Sequence, residues 1–127
     1  MLASQRELLA GTSQRDFLRS TTALTTFDAA GAMLLNSSLF PLYGTAHGAW
    51  VRTGEREYDH WWVRLIFDAD GNHIGINKAR AHARVDESLD AYSADGVARD
   101  FDHDGNVTEA RLFSVQATRI KLESIPS

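Results

Sequence analysis

The chain has 127 residues, a formal net charge of −4, no cysteine and 43% hydrophobic residues, which is the make-up of one globular domain with a single core. The acidic balance, without any run of Lys or Arg, argues against a phosphate-binding surface, and the absence of cysteine excludes disulfides, thiolate zinc sites and a cysteine nucleophile. No apolar run approaches the roughly 20 residues of a membrane span, and Arg6 and Glu7 interrupt the stretch where a signal peptide would be apolar, so the expectation is a cytoplasmic protein with neither membrane nor nucleic acid as partner.

Ser4 followed by Glu7 has the spacing of a capping box, and Gly11 suits a helix stop. This predicts one short N-terminal helix, with a further turn over 16–18. From Thr21 the texture changes to alternation, β-branched residues and glycine-marked turns, which predicts strands at 21–27, 32–39, 43–52, 57–67, 73–85, 88–93, 96–101 and 107–122. Pro41 and Pro126 fall outside all of them. So many strands in a short chain leave open edges unless the sheet closes. The predicted fold class is therefore all-β, an antiparallel up-and-down barrel of about eight strands with a short N-terminal helix, as one domain over 1–127.

Phe-Asp-x-x-Gly occurs three times, as FDAAG at 27–31, FDADG at 67–71 and FDHDG at 101–105. Asp100, Asp102, Asp104 and Gly105 copy the start of an EF-hand calcium loop, but the position that should hold a bidentate glutamate is Arg111, and the flanks read as strands. No metal site and no cofactor are expected. The mechanical reading is a hairpin turn in which the Asp side chain caps a type I turn and Gly31, Gly71 and Gly105 take positive φ. Pairing Asp68 with Asn72 then sets Phe67 against His73, Leu65 against Gly75, Val63 against Asn77 and Trp61 against Ala79. That places Trp61, Val63, Leu65, Phe67, Asn77 and the alanines at 79, 81 and 83 inside. Small residues facing large ones leave room for a ligand, for which a cavity of roughly 300 Å³ or more is needed. The alternative is that the rings fill the gap.

The motifs TTFDAAG (25–31), GTAHGAW (44–50), FDADG (67–71), FDHDG (101–105) and ATRI (117–120) resemble small bacterial barrels of the calycin-like group, related in fold to lipocalins and allene oxide cyclases. The resemblance implies a barrel that binds small apolar molecules and, in some members, a cyclisation or isomerisation without a cofactor. Proteins of this type usually carry Gly-x-Trp in the first strand, where this chain reads Gly11-Thr12-Ser13. That departure leaves an edge that a second copy, in a homodimer, could cover.

The five histidines, at 47, 60, 73, 82 and 103, form neither an H-x-H nor an H-x-x-x-H pair. The segment Tyr43 to Trp50 has two faces. If Tyr43 and His47 point inward they are a proton donor and base for a cofactor-free cyclase; if the other face does, Trp50 is an aromatic wall or plug and the histidine lies outside. In the last hairpin, Phe101 opposite Val107 puts Arg99, Glu109, Arg111 and Phe113 on one face, as a paired network or a clamp for a substrate carboxylate. The candidate site is thus Tyr43 and His47 as catalytic residues, with Trp50, Trp61, Phe67, Asn77, Phe101, Glu109, Arg111 and Phe113 as ligand-binding residues. The expected function is binding of a small, largely apolar organic molecule in the interior, with a cofactor-independent cyclisation or isomerisation as its chemistry. The alternatives are a carrier without chemistry, or a structural barrel that self-associates through an outer patch at Trp62, Ile66, Ile74 and Ile76.

Overall fold

The computed structural model describes residues 2–10 and 19–121, with side chains from Thr21 onward. Strand β1 (Leu2–Ala10) is followed by β2 (Arg19–Phe27), β3 (Ala32–Ser37), β4 (Ala46–Arg52), β5 (Glu57–Phe67), β6 (His73–Val85), β7 (Ala91–Phe101) and β8 (Val107–Arg119). From β2 to β8 each strand pairs antiparallel with the next, giving an up-and-down sheet that curls around one core. The described residues contain no helix. The expected N-terminal helix is corrected to the extended β1, which pairs with β2 and β8. A helix cap contributes only about 1 kcal/mol, whereas two sheet edges offer whole rows of unpaired N–H and C=O groups. The expected stop at Gly11 and the turn over 16–18 lie outside the described residues.

All three Phe-Asp-x-x-Gly copies are the same turn. The Oδ1 of Asp28, Asp68 and Asp102 each accepts two backbone N–H groups, from residues two and four places on, and Gly31, Gly71 and Gly105 sit at φ 97°, 83° and 83°, a region open to glycine at no steric cost. Donation from the backbone N–H of Asn72 and Asn106, first among several hydrogen bonds, holds the Asp68 and Asp102 carboxyls below their ordinary range. Of the three aspartates that resemble calcium ligands, Asp102 is the turn cap, Asp104 lends it a backbone N–H and Asp100 points inward to Asn77 and Tyr43.

The turn at 68–72 pairs Phe67 with His73 as predicted, but the next pair is Ile66 with Gly75, because Ile74 is an extra residue that bulges from β6. From there on, Trp62 faces Ala79, His60 faces Ala81 and Tyr58 faces Ala83. The inner face of β5 is therefore Tyr58, His60, Trp62, Arg64 and Ile66, while Trp61, Val63 and Leu65 are 42%, 41% and 47% exposed. The β6 half of the expected interior is correct and the β5 half is inverted. The last hairpin repeats the device: Phe101 pairs with Val107, Thr108 is extra, and Asp100 faces Glu109, so Asp100 turns inward and Arg99 outward.

The strands expected at 88–93 and 96–101 are one strand, β7, after a turn at 86–90. Gly96, expected to open the second of these strands, lies mid-strand, at a position where a Cβ would collide with the Arg80 carbonyl and come within 2.6 Å of the Phe113 ring. The core joins large residues of β2, β3, β5 and β8 to alanines of β6 and β7: Phe27, Leu35, Trp62, Phe113 and Val115 meet Ala79, Ala81, Ala83, Ala94 and Ala98. Much of the room left by the alanines is taken by β5.

Candidate functional site

The curled sheet has one end built from the turns at 28–31, 53–56 and 86–90, and another from the loop at 38–45 with the turns at 68–72 and 102–106. At the first end, Phe27, Trp50 and Tyr58 surround an open cavity of about 270 Å³ that Asp28 and Ala29 complete. Each residue has a local reason to be there. Phe27 ends β2 on the inner face, the FDAAG turn carries Asp28 over the rim, and Trp50 is fixed by a 2.8 Å hydrogen bond from its Nε1 to the Asp28 carbonyl. Tyr58 stands at 75° to Phe27 and 67° to Trp50, with centroids 5.7 and 5.9 Å away, an edge-to-face arrangement favoured by ring quadrupoles. Tyr92 lies behind both Phe27 and Tyr58 at 6.1 Å.

Below the mouth is His60, 2% exposed, with its ring 5.6 Å from Phe27 and stacked on Trp62 at 5.6 Å and 17°. Burial pushes its pKa down to about 4, so near pH 7 the ring is neutral, with one nitrogen a donor and the other an acceptor. Neither nitrogen has a protein partner, and the same is true of Tyr58 Oη, Trp62 Nε1 and Thr25 Oγ1. Burial pushes the Tyr58 phenol up to about 12, which keeps its hydroxyl protonated. An unmet buried polar group costs about 1–3 kcal/mol, so this cluster of side chains has hydrogen-bonding capacity that the fold itself does not use.

Towards the other end the interior is ionic and its side chains bond one another, with Arg111 Nε left unpartnered. Asp100 accepts from Asn77 at 2.7 Å and from Tyr43 at 2.6 Å, and Arg111 lies 3.4 Å from the same carboxylate. Arg64 bonds Asn77 and Ser37, and its guanidinium lies 4.7 Å from the centroid of the Tyr43 ring. Burial first, and then the bond to Asp100, raises the Tyr43 pKa. Tyr43 reaches this cluster because Leu42 and Gly44 bond the backbone of Phe67 and Leu65, which sets Tyr43 opposite inward-facing Ile66.

The chain matches no protein-family model, no curated protein and no solved structure.

Of the residues singled out in the sequence, Trp50 lines the mouth, while Asn77, Arg111 and Phe113 are buried inside. Glu109 is exposed and pairs with Arg111 at 3.2 Å. Three placements are corrected. Trp61 is on the outer face because of the bulge at Ile74; Phe67 is half-buried beside His73; and Phe101 is half-buried under the Lys78 amine, 5.4 Å from its ring. Tyr43 and His47 do not meet. His47 pairs with Leu34 and Val63 on the outer face and lines a groove of about 250 Å³ there. The expected outer patch is corrected as well, since Trp62 and Ile66 are 2% and 8% exposed.

Sequence reasoning missed Phe27, Asp28, Tyr58 and His60. The available signal was cross-strand size matching. Tyr58, His60 and Trp62 against three alanines is a better complement than Trp61, Val63 and Leu65, but it appears only when β5 is read one residue out of step with its turn.

Proposed function

We propose that this chain is a calycin-like barrel, with β1 as the eighth strand between β2 and β8, that binds a small, largely apolar molecule through its aromatic mouth. The observation that carries the reading is the open cavity between Phe27, Trp50 and Tyr58, which at about 270 Å³ lies at the rim and just short of the lower end for ligand sites, with the unpartnered polar atoms of Tyr58 and His60 beneath it. At about 30 Å³ per water in the liquid, such a space takes a ligand of roughly ten non-hydrogen atoms. Rings supply contact area at low entropy cost, and one or two polar groups fix orientation.

Binding is favoured over acid–base conversion. Tyr43 and His47 are on different sides of the sheet, and a histidine with a pKa of about 4 is a weak base near neutral pH. The direct test is a titration of 1-naphthol followed by the indole N–H resonances of the three tryptophans. Saturable movement of the Trp50 resonance, with Trp61 unmoved, is expected. Movement of Trp61 alone, or none at any indole with 1-naphthol or with smaller apolar-shelled probes, would remove the reading.

A further inference from the structure

We propose that the aromatic mouth receives a methylated ammonium group, so that the bound molecule is a cation with an apolar shell; this rests on the mouth being the binding site. Four observations converge. Three rings line one cavity, and Tyr58 stands at 75° and 67° to the other two, so the walls form two corners of a box. A quaternary ammonium is attracted to the faces of such rings within about 6 Å of their centroids and gives up little hydration to reach them. Asp28 is acidic and is the one charged residue on the lining among the described residues. Its Oδ1 is taken by the N–H groups of Ala30 and Ala32, while Oδ2 takes no part in those turn bonds.

No Lys or Arg lines the cavity, so a carboxylate or phosphate would find no counter-charge there, and the chain's net charge of −4 draws cations towards the surface. The arrangement also separates two tasks. Phe27, Trp50 and Tyr58 recognise the methylated head, and Asp28 at the rim sets the sign of its charge. A carbon isostere of the same shape would fit the box and lose both electrostatic contributions.

The test uses choline and its neutral isostere 3,3-dimethylbutan-1-ol, each titrated into the full chain while the Trp50 indole N–H resonance is followed. That resonance is identified by its loss in Trp50→Phe. Choline is expected to saturate the shift with an affinity about tenfold above that of the alcohol. Asp28→Asn keeps the oxygen that caps the turn; it is expected to weaken choline by about threefold, the scale of an exposed charge pair, and to leave the alcohol unchanged. Equal binding of the two probes, or binding of the alcohol or of 1-naphthol without choline, overturns the ammonium class and leaves small-molecule binding standing. No response to any of the three removes both.

Discussion

His60 refuses a proton that the unfolded chain accepts. Its pKa falls from the ordinary 6.5 to about 4 because burial penalises the imidazolium. Between those values the unfolded state binds more protons, so stability is full above about pH 6.5 and declines as the pH falls towards 4. At 1.36 kcal/mol per pKa unit, the loss between about pH 7 and about pH 5 is about 2 kcal/mol. Urea unfolding of the native chain and of His60→Leu at those two pH values checks it. The native chain should lose about 2 kcal/mol more than the variant; equal losses would mean that His60 is not buried as described. At this scale the sequence was partly legible. Asp28, Asp68 and Asp102 announce themselves, because capping a turn needs a short acceptor next to a glycine two or three residues on. His60 gives no such sign, because whether an imidazole is inside depends on which parity of β5 faces the alanines.

The strand pairs turn on one residue at each bulge. Since Phe67 pairs with His73 and Ile66 with Gly75, deleting Ile74 joins two pairs that already exist and leaves every inner residue of β5 and β6 in place. Deleting Lys78 instead would shift the remainder of β6 by one and turn Ala79, Ala81 and Ala83 outward. The Ile74 deletion is expected to unfold cooperatively with a loss of about 1–2 kcal/mol, and the Lys78 deletion to lose its dispersed proton spectrum. Similar damage from both would show that the bulge itself holds the sheet. The hairpin turns were readable because their chemistry is local. The bulges were not: an inserted residue has no required side chain, and what selects it is the fit of Tyr58, His60 and Trp62 over small residues across the strand. The same ambiguity hides the mouth, since Tyr58 joins the inner face of β5 only once the bulge is counted.

Across the whole molecule, the two ends are held by different forces. One is an edge-to-face aromatic group around a cavity; the other is an ionic cluster that joins the 38–45 loop to β6, β7 and β8 through Tyr43, Asn77, Asp100 and Arg111. Removing one member of a buried pair strands the other. Arg111→Ala is expected to cost about 3–5 kcal/mol, whereas Tyr43→Phe, which leaves Asp100 with Asn77 and Arg111, should cost about 1 kcal/mol. Denaturant midpoints of the two variants give the comparison, and a milder effect from Arg111→Ala than from Tyr43→Phe would contradict the buried pairing. The up-and-down all-β plan was legible at this scale from alternation and turn spacing. The β1 segment was not, because its Ser4 and Glu7 obey a local helix rule that long-range pairing overrides.

Trp61 and Trp62 are joined by a single peptide bond, yet one indole is 42% exposed and the other 2%. The protein therefore carries its own optical markers on both sides of a wall one strand thick, with Trp50 at the doorway. Light absorbed by the outer indole is open to any quencher dissolved in the medium, whereas the inner one, stacked on a neutral imidazole, is shielded from it.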